Sequence, residues 1–290
     1  MRQADNHGDP AFCGIAVMAK ASKPGRTKTR LTPPLTPTEA ALFNSAFLAD
    51  IAANLLDAGK SMPVDGYMAF GPPGEAAFFD FLPPEIGIFE AWRPNFGDCL
   101  SDTIRELFHR GHRAACVLNA DSPTLPPAFL AEAAGVLAAD GDRAVLGPSS
   151  DGGYYLLGLK QHHVRLFQDI AWSTGVVAAQ TLERAAEIGL PVHVLPTWYD
   201  VDDRDALWLL RGELFHGLAF GGSKARRAEA RHSRALIEQL DREARLSERL
   251  RASTLPCPTP PRPGKPAFEA PELAKTGKPA FAGTMRQSAL

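Results

Sequence analysis

The sequence predicts an α/β fold of Rossmann-like type, a mostly parallel mixed sheet with helices on both faces. Two observations carry this. Short apolar runs alternate with segments of helical period from residue 12 to about residue 218, the order expected of strands joined by crossover helices. Turn-forming clusters such as the GPPG at 71–74 separate them. A sheet of this kind receives its ligands in the loops beyond the carboxyl ends of its strands.

The first strand is read over 12–19 (FCGIAVMA), a short apolar run with Ile15 and Val17. A helix is predicted over 39–58, where Leu42, Phe43, Ala46, Phe47, Ile51 and Leu55 recur at steps of three and four. Strands follow at 64–70, 113–118, 143–147, 154–159 and 192–195, and helices at 98–110, 126–139, 174–188 and 203–214. The segment 224–251 is rich in arginine, with Leu236, Ile237, Leu240, Leu246 and Leu250 among the charges; it reads as one basic amphipathic helix, a solvated helix packed on the domain in preference to one that binds a partner or a membrane. Beyond Ser253 the chain is rich in Pro, Gly and Lys and repeats GKPAF at 264–268 and 277–281, a composition too poor in apolar residues to build a core. The expected organisation is an unstructured start (1–11), a domain (12–220), the basic helix (221–252) and a disordered tail (253–290).

Composition excludes several classes of function. The 290 residues carry a formal net charge of −2, which argues against a general nucleic-acid binder. The four cysteines, Cys13, Cys99, Cys116 and Cys257, form no CxxC pair, so neither a disulfide framework nor a cysteine zinc site is expected. No apolar run approaches the ~18 residues of a membrane span, and the start has no apolar signal region. A cytoplasmic protein is expected. No GxSxG or HExxH occurs.

The loop after the first strand, KASKPGRTKTRL at 20–31, gathers Lys20, Lys23, Arg26, Lys28 and Arg30 around Gly25. A glycine lets backbone N–H groups approach an oxyanion, and cations complete a phosphate cradle; arginine adds a bidentate fork. The loop is neither a Walker A nor a GxGxxG motif. The segment VLNADSPTL at 117–125 places Asp121 just past a strand end, where a carboxylate serves either as ligand of a divalent cation or as a turn and cap residue. Asp151, Gly152 and Gly153 stand between two strands, a hairpin turn or a bare backbone surface for an acceptor. In IAWSTG at 170–175, Trp172 is a lid, a stacking platform or a core residue, and Ser173 and Thr174 are helix-cap candidates that also qualify as substrate contacts. In WYDVDD at 198–203, Asp200 and Asp202 project to one side of an extended segment, and Asp203 reads as the cap of the next helix. Two carboxylates facing one way call for a cation or a proton between them; with Asp121 they form a candidate oxygen-ligand site for Mg²⁺ or Mn²⁺.

Taken in order over about residues 12–215, the segments KxPGxxKTRL, DSPTL, GPSSDGGYYLLGL, WST and YDVDD resemble the nucleotide-diphospho-sugar transferase (GT-A) superfamily. Within it they look like the bacterial radical-SAM/selenodomain-associated transferase 1 family, often labelled glycosyltransferase. The first and last segments are also similar to 2-phospho-L-lactate guanylyltransferases. The resemblance implies a GT-A domain that binds a nucleotide through the first loop, with Mg²⁺ held by Asp121 and by Asp200 or Asp202. Asn119-Ala120-Asp121 departs from the DxD usual in GT-A glycosyltransferases, and Asp203 stands where many relatives have Thr.

Three functions follow as expectations. The first is nucleotidyl transfer from a nucleoside triphosphate to a small phosphorylated acceptor, with Lys28 and Arg30 on the β- and γ-phosphates. The second is glycosyl transfer from a nucleotide sugar, with Asp151 as acceptor base. The third is a nucleotide-binding scaffold without catalysis, against which the carboxylates at 121, 200 and 202 count.

Overall fold

The computed structural model describes residues 10–221 and 225–252. Seven strands form one sheet: β1 (Cys13–Ala19), β2 (Val64–Phe70), β3 (Gly87–Glu90), β4 (Ala114–Leu118), β5 (Ala144–Pro148), β6 (Tyr154–Leu159) and β7 (Val192–Val194). Their spatial order is β3-β2-β1-β4-β6-β5-β7. Every neighbouring pair is parallel except the two made by β6, which runs antiparallel to β4 and β5.

Alternation along the central strands separates two cores. Cys13, Ile15 and Val17 of β1, with Cys116 and Leu118 of β4, face one side; Ala16, Ala115 and Val117 face the other. The first side is covered by α1 (Pro37–Ala58), α3 (Pro127–Ala138) and α5 (Arg204–His216), the second by α2 (Phe96–His109) and α4 (Val177–Glu187). No helix among the described residues is long and apolar enough to cross a membrane.

Local chemistry sets the helix starts. Thr36 accepts from Glu39 N while the Glu39 carboxylate accepts from Thr36 N, a capping box just ahead of Pro37. Asn95 caps α2 through Gly97 N, and Asp203 caps α5 through Ala206 N at 2.9 Å, as expected from its place in the sequence. The helix expected from Thr174 starts only at Val177. Ser173 has φ 64° and Thr174 turns its hydroxyl back onto Ala171 O at 2.6 Å, so neither caps it. The edge strand β3 was not predicted; four residues ending in a glutamate carry too little pattern to be read.

The basic segment is two helices, not one. α6 (Arg231–Ala244) and α7 (Leu246–Ala252) meet at Arg245, whose φ of 49° breaks the helical path. Their apolar residues Ile237, Leu240, Leu246 and Leu250 are buried in the core shared with α1, so the core does not stop at residue 220. The α6 start is held by Asp50 of α1, a buried carboxylate that accepts from His232 N (2.8 Å), Ser233 N (2.9 Å) and Ser233 Oγ (2.6 Å). Arg249 forks onto Glu39 and reaches Pro34 O at 2.6 Å. The tail expected at 253–290 and the first nine residues lie outside the described residues.

Candidate active site

The parallel pair β1 and β4 ends on one edge of the sheet, and the loops that follow wall a cleft of about 400 Å³. Its lining includes Lys20, Arg26, Lys28 and Arg30 from the first loop, Asn119 and Asp121 after β4, and Asp202. The 198–203 segment is brought there by hydrogen bonds to the loop after β4. Val201 N donates to Asp121 O (2.8 Å), Ser122 Oγ to Tyr199 O (2.8 Å), and Thr124 Oγ1 to Tyr199 Oη (3.2 Å). The Tyr199 hydroxyl in turn donates to the buried Glu213 at 2.6 Å. Ser122 and Thr124 thus tie two loops together.

The cations of the first loop divide by burial. Lys20, Arg26 and Arg30 are exposed at the cleft, and Arg30 stands 3.7 Å from Asp202. Lys23 forms an ion pair with Glu75 and does not line the cleft, so its expected phosphate role is not supported. Gly25 has φ +73° with open space around it, a turn that only glycine adopts without strain. Lys28 differs most from expectation. Its side chain is 5% exposed and its ammonium lies 2.5 Å from Asp121 and 2.8 Å from Asp202, with a third bond to Val201 O at 2.9 Å. Burial alone would lower its pKa, but the two carboxylates outweigh that and raise it. An ammonium with three acceptors has no N–H left for a phosphate.

Asp200 feels the charges of three other carboxylates. Burial, then the charges of Asp151, Asp202 and Asp121, push the half-buried Asp200 up to about 7. Asp121 is raised as well, by burial first, against the opposing pull of Lys28. In the metal-free chain Asp200 therefore keeps its proton close to neutrality. Because its folded pKa lies above the unfolded value of about 4, its contribution to stability is full below that value and is lost as pH rises through about 7. Metal-free wild type should lose melting temperature relative to Asp200→Asn between about pH 4 and 7. A difference that does not change with pH contradicts the arrangement.

The donor set tests whether a metal fits. All four side chains are hard oxygen donors, and Mg²⁺ arriving on a phosphate needs only one or two carboxylates because water and phosphate oxygens complete its shell. No three His, Cys, Asp or Glu side chains among the described residues converge as ligands; the cation between Asp121 and Asp202 is the Lys28 ammonium. Asp121 offers the cleft an oxygen donor for a metal carried by a nucleotide, Asp200 is not among the residues that line it, and the set does not fit a free-standing three-ligand site of Asp121, Asp200 and Asp202.

Several expected contacts fall elsewhere. Asp151 accepts from Gly153 N at 2.9 Å, as in a hairpin turn, and is exposed outside the cleft lining. A Cβ on Gly152 would stand 2.0 Å from Gly175 O, so this glycine admits the neighbouring chain and not an acceptor. A Cβ on Gly153 would meet the Asp151 carboxylate. Trp172 packs edge-on against Phe96 with ring centroids 5.6 Å apart; it backs the cleft, while the half-exposed Phe96 lines it. Ser173 and Thr174 do not reach the cleft lining. Asn44, Phe96, Asn119 and Tyr154 line it without having been singled out. Asn44 was legible in principle, as a polar residue on the buried face of α1; its amide bonds Lys20 O (3.0 Å) and Ser22 Oγ (2.8 Å) and fixes the start of the first loop.

The backbone superposes on a solved structure from Desulfovibrio desulfuricans G20, assigned as a nucleotide-diphospho-sugar transferase, with a TM-score of 0.68 over 83% of this chain and 97% of that one. The chain has the GT-A-like nucleotide-diphospho-sugar transferase fold. At 23% identity the likeness speaks for the fold alone. A family model described as "Uncharacterized protein conserved in bacteria (DUF2064)" matches residues 55–174, a stretch of the GT-A-like domain that contains Asp121 and Asp151 but neither Lys28 nor Asp200. A cytidylyltransferase from Leptospira borgpetersenii is 10% identical, with a TM-score of 0.47 over 84% of this chain and 99% of its own. No curated protein matches the sequence.

Proposed function

We propose that this chain is a metal-dependent transferase that uses an activated nucleotide, moving the nucleotidyl group of a nucleoside triphosphate to a small phosphorylated acceptor. The observation that carries the reading is the single cleft in which exposed Lys20, Arg26 and Arg30 stand beside the carboxylates of Asp121 and Asp202. Exposed cations suit a polyphosphate, and the arginines can grip its oxygens bidentately. An acceptor phosphate oxygen attacks the α-phosphorus, the α–β phosphoanhydride bond breaks, and pyrophosphate leaves. An acceptor that is already anionic needs no general base, in keeping with the absence of histidine from the cleft lining. The chain's work is then positioning and charge neutralisation. Mg²⁺ or Mn²⁺, held by Asp121, would supply charge stabilisation at the phosphate. Lys28 keeps Asp121 and Asp202 oriented toward the cleft.

A second reading, glycosyl transfer from a nucleotide sugar with Asp151 as acceptor base, is favoured by the charge of Asp151 being felt at Asp200. The two separate by charge count. Calorimetric titration of wild type and Arg30→Ala with GTP, CTP, UTP and UDP-glucose in Mg²⁺ decides between them. Loss of one charge-assisted contact should weaken the preferred triphosphate about ten- to a hundred-fold and UDP-glucose much less, because its distal end is neutral. Tight wild-type binding of UDP-glucose with no triphosphate binding supports glycosyl transfer instead.

A further inference from the structure

The cation site at the centre of the cleft is already filled by a side chain. The Lys28 ammonium makes three bonds, to Asp121 Oδ1 at 2.5 Å, Asp202 Oδ1 at 2.8 Å and Val201 O at 2.9 Å, which is its full complement of donors. The residue reaches this position from a left-handed backbone, φ 52° and ψ 39°, a conformation that a non-glycine residue keeps only where its surroundings demand it. Just after it, Leu31 N donates to Lys28 O at 3.0 Å and the Leu31 side chain is fully buried. The ammonium also lies 5.4 Å from the centre of the Phe47 ring, so the side chain runs inward across an aromatic face and not out toward solvent with Arg26 and Arg30.

We infer that Lys28 is a positioning residue that acts as a resident counter-ion, keeping the Asp121–Asp202 pair closed to a divalent cation until the phosphates of a nucleotide offer the ammonium a second partner. The inference rests on the nucleotide-using reading for its second half. Its first half, competition between ammonium and metal for Asp121, stands on the geometry alone. A divalent cation on Asp121 would stand beside the Lys28 ammonium that already neutralises this carboxylate, and the repulsion between the two positive charges opposes metal binding while the ammonium stays in place. Without a nucleotide nothing anionic enters the cleft to offset that repulsion, and metal binding is unfavourable. A bound polyphosphate supplies acceptors, so nucleotide and metal should each tighten the other by the same factor.

The test is Mn²⁺ binding to the full chain, followed by the electron paramagnetic resonance signal of free Mn²⁺, with and without GTP, CTP or UTP. Without nucleotide, wild type should bind Mn²⁺ weakly, and Lys28→Met should bind it at least about tenfold tighter. Lys28→Gln, which retains hydrogen bonding, serves as a second neutral variant if the methionine does not fold. With nucleotide, wild-type affinity should rise at least about tenfold while the variants gain little. A merely structural lysine predicts variants that melt lower without any gain in Mn²⁺ affinity, and that outcome overturns the inference. So does tight Mn²⁺ binding by nucleotide-free wild type. If wild type binds no nucleotide but the neutral variants still gain Mn²⁺ affinity, the functional reading fails and the counter-ion role survives.

Discussion

A chain cut after Gly221 is expected to lose its fold, not merely a basic appendage. The cut removes Ile237, Leu240, Leu246 and Leu250, which are 0%, 6%, 0% and 4% exposed. Burial of each such side chain contributes about 1.5–3 kcal/mol, so the four together rival the roughly 5–15 kcal/mol that holds a whole domain. The cut also strips Asp50 of its three donors. Burial already raises the pKa of this carboxylate, and the bonds to Ser233 and His232 are what oppose that rise. Thermal melts of chains ending at residues 221 and 252 make the comparison. The longer should melt cooperatively and the shorter should show no cooperative transition. Similar melting temperatures contradict the assignment of α6 and α7 to the core.

The second large effect is expected at Asp121. Asp121→Asn keeps the side-chain volume and leaves the backbone bond from Val201 N intact, but it removes the charge that pairs with Lys28 and would face a metal. Turnover should fall about 10²- to 10³-fold, the scale seen when a preorganised electrostatic partner of the transition state is lost. Stability should not fall with it. Burial holds the Asp121 carboxyl above its ordinary range, so the anion is destabilised where it stands, and Lys28 retains Asp202 and Val201 O. An unchanged or higher melting temperature with lost turnover separates a site effect from misfolding. Undiminished turnover removes Asp121 from the site.

What the sequence made legible follows the range of the forces involved. Apolar runs marked β1, β2, β4 and β6 because their partners are other strands of the same kind, and Asp203 declared itself because a cap acts three residues away. The break at Arg245 escaped notice because the leucines on either side continue a helical period across it. In the site, Asp121, Asp200 and Asp202 were recognisable from strand ends and spacing. The inequality of the five cations in the first loop was not, because it is set by burial. Lys28 lies 174 positions from the Asp202 that binds it, and nothing within residues 20–31 distinguishes it from Arg26 or Arg30. Gly152 misled for a related reason: the group that occupies its free space is Gly175, on another loop.

The central claim, that this cleft binds the phosphates of a nucleotide on a divalent cation, is tested most directly by titrating the wild-type chain calorimetrically with nucleoside triphosphates in Mg²⁺ and again in excess chelator. Saturable, one-site binding of at least one triphosphate is expected, weakening at least about tenfold without Mg²⁺, the cost of removing a charge-assisted partner. Absence of binding by every triphosphate and nucleotide sugar at millimolar concentration, or binding indifferent to both Mg²⁺ and Asp121→Asn, contradicts it.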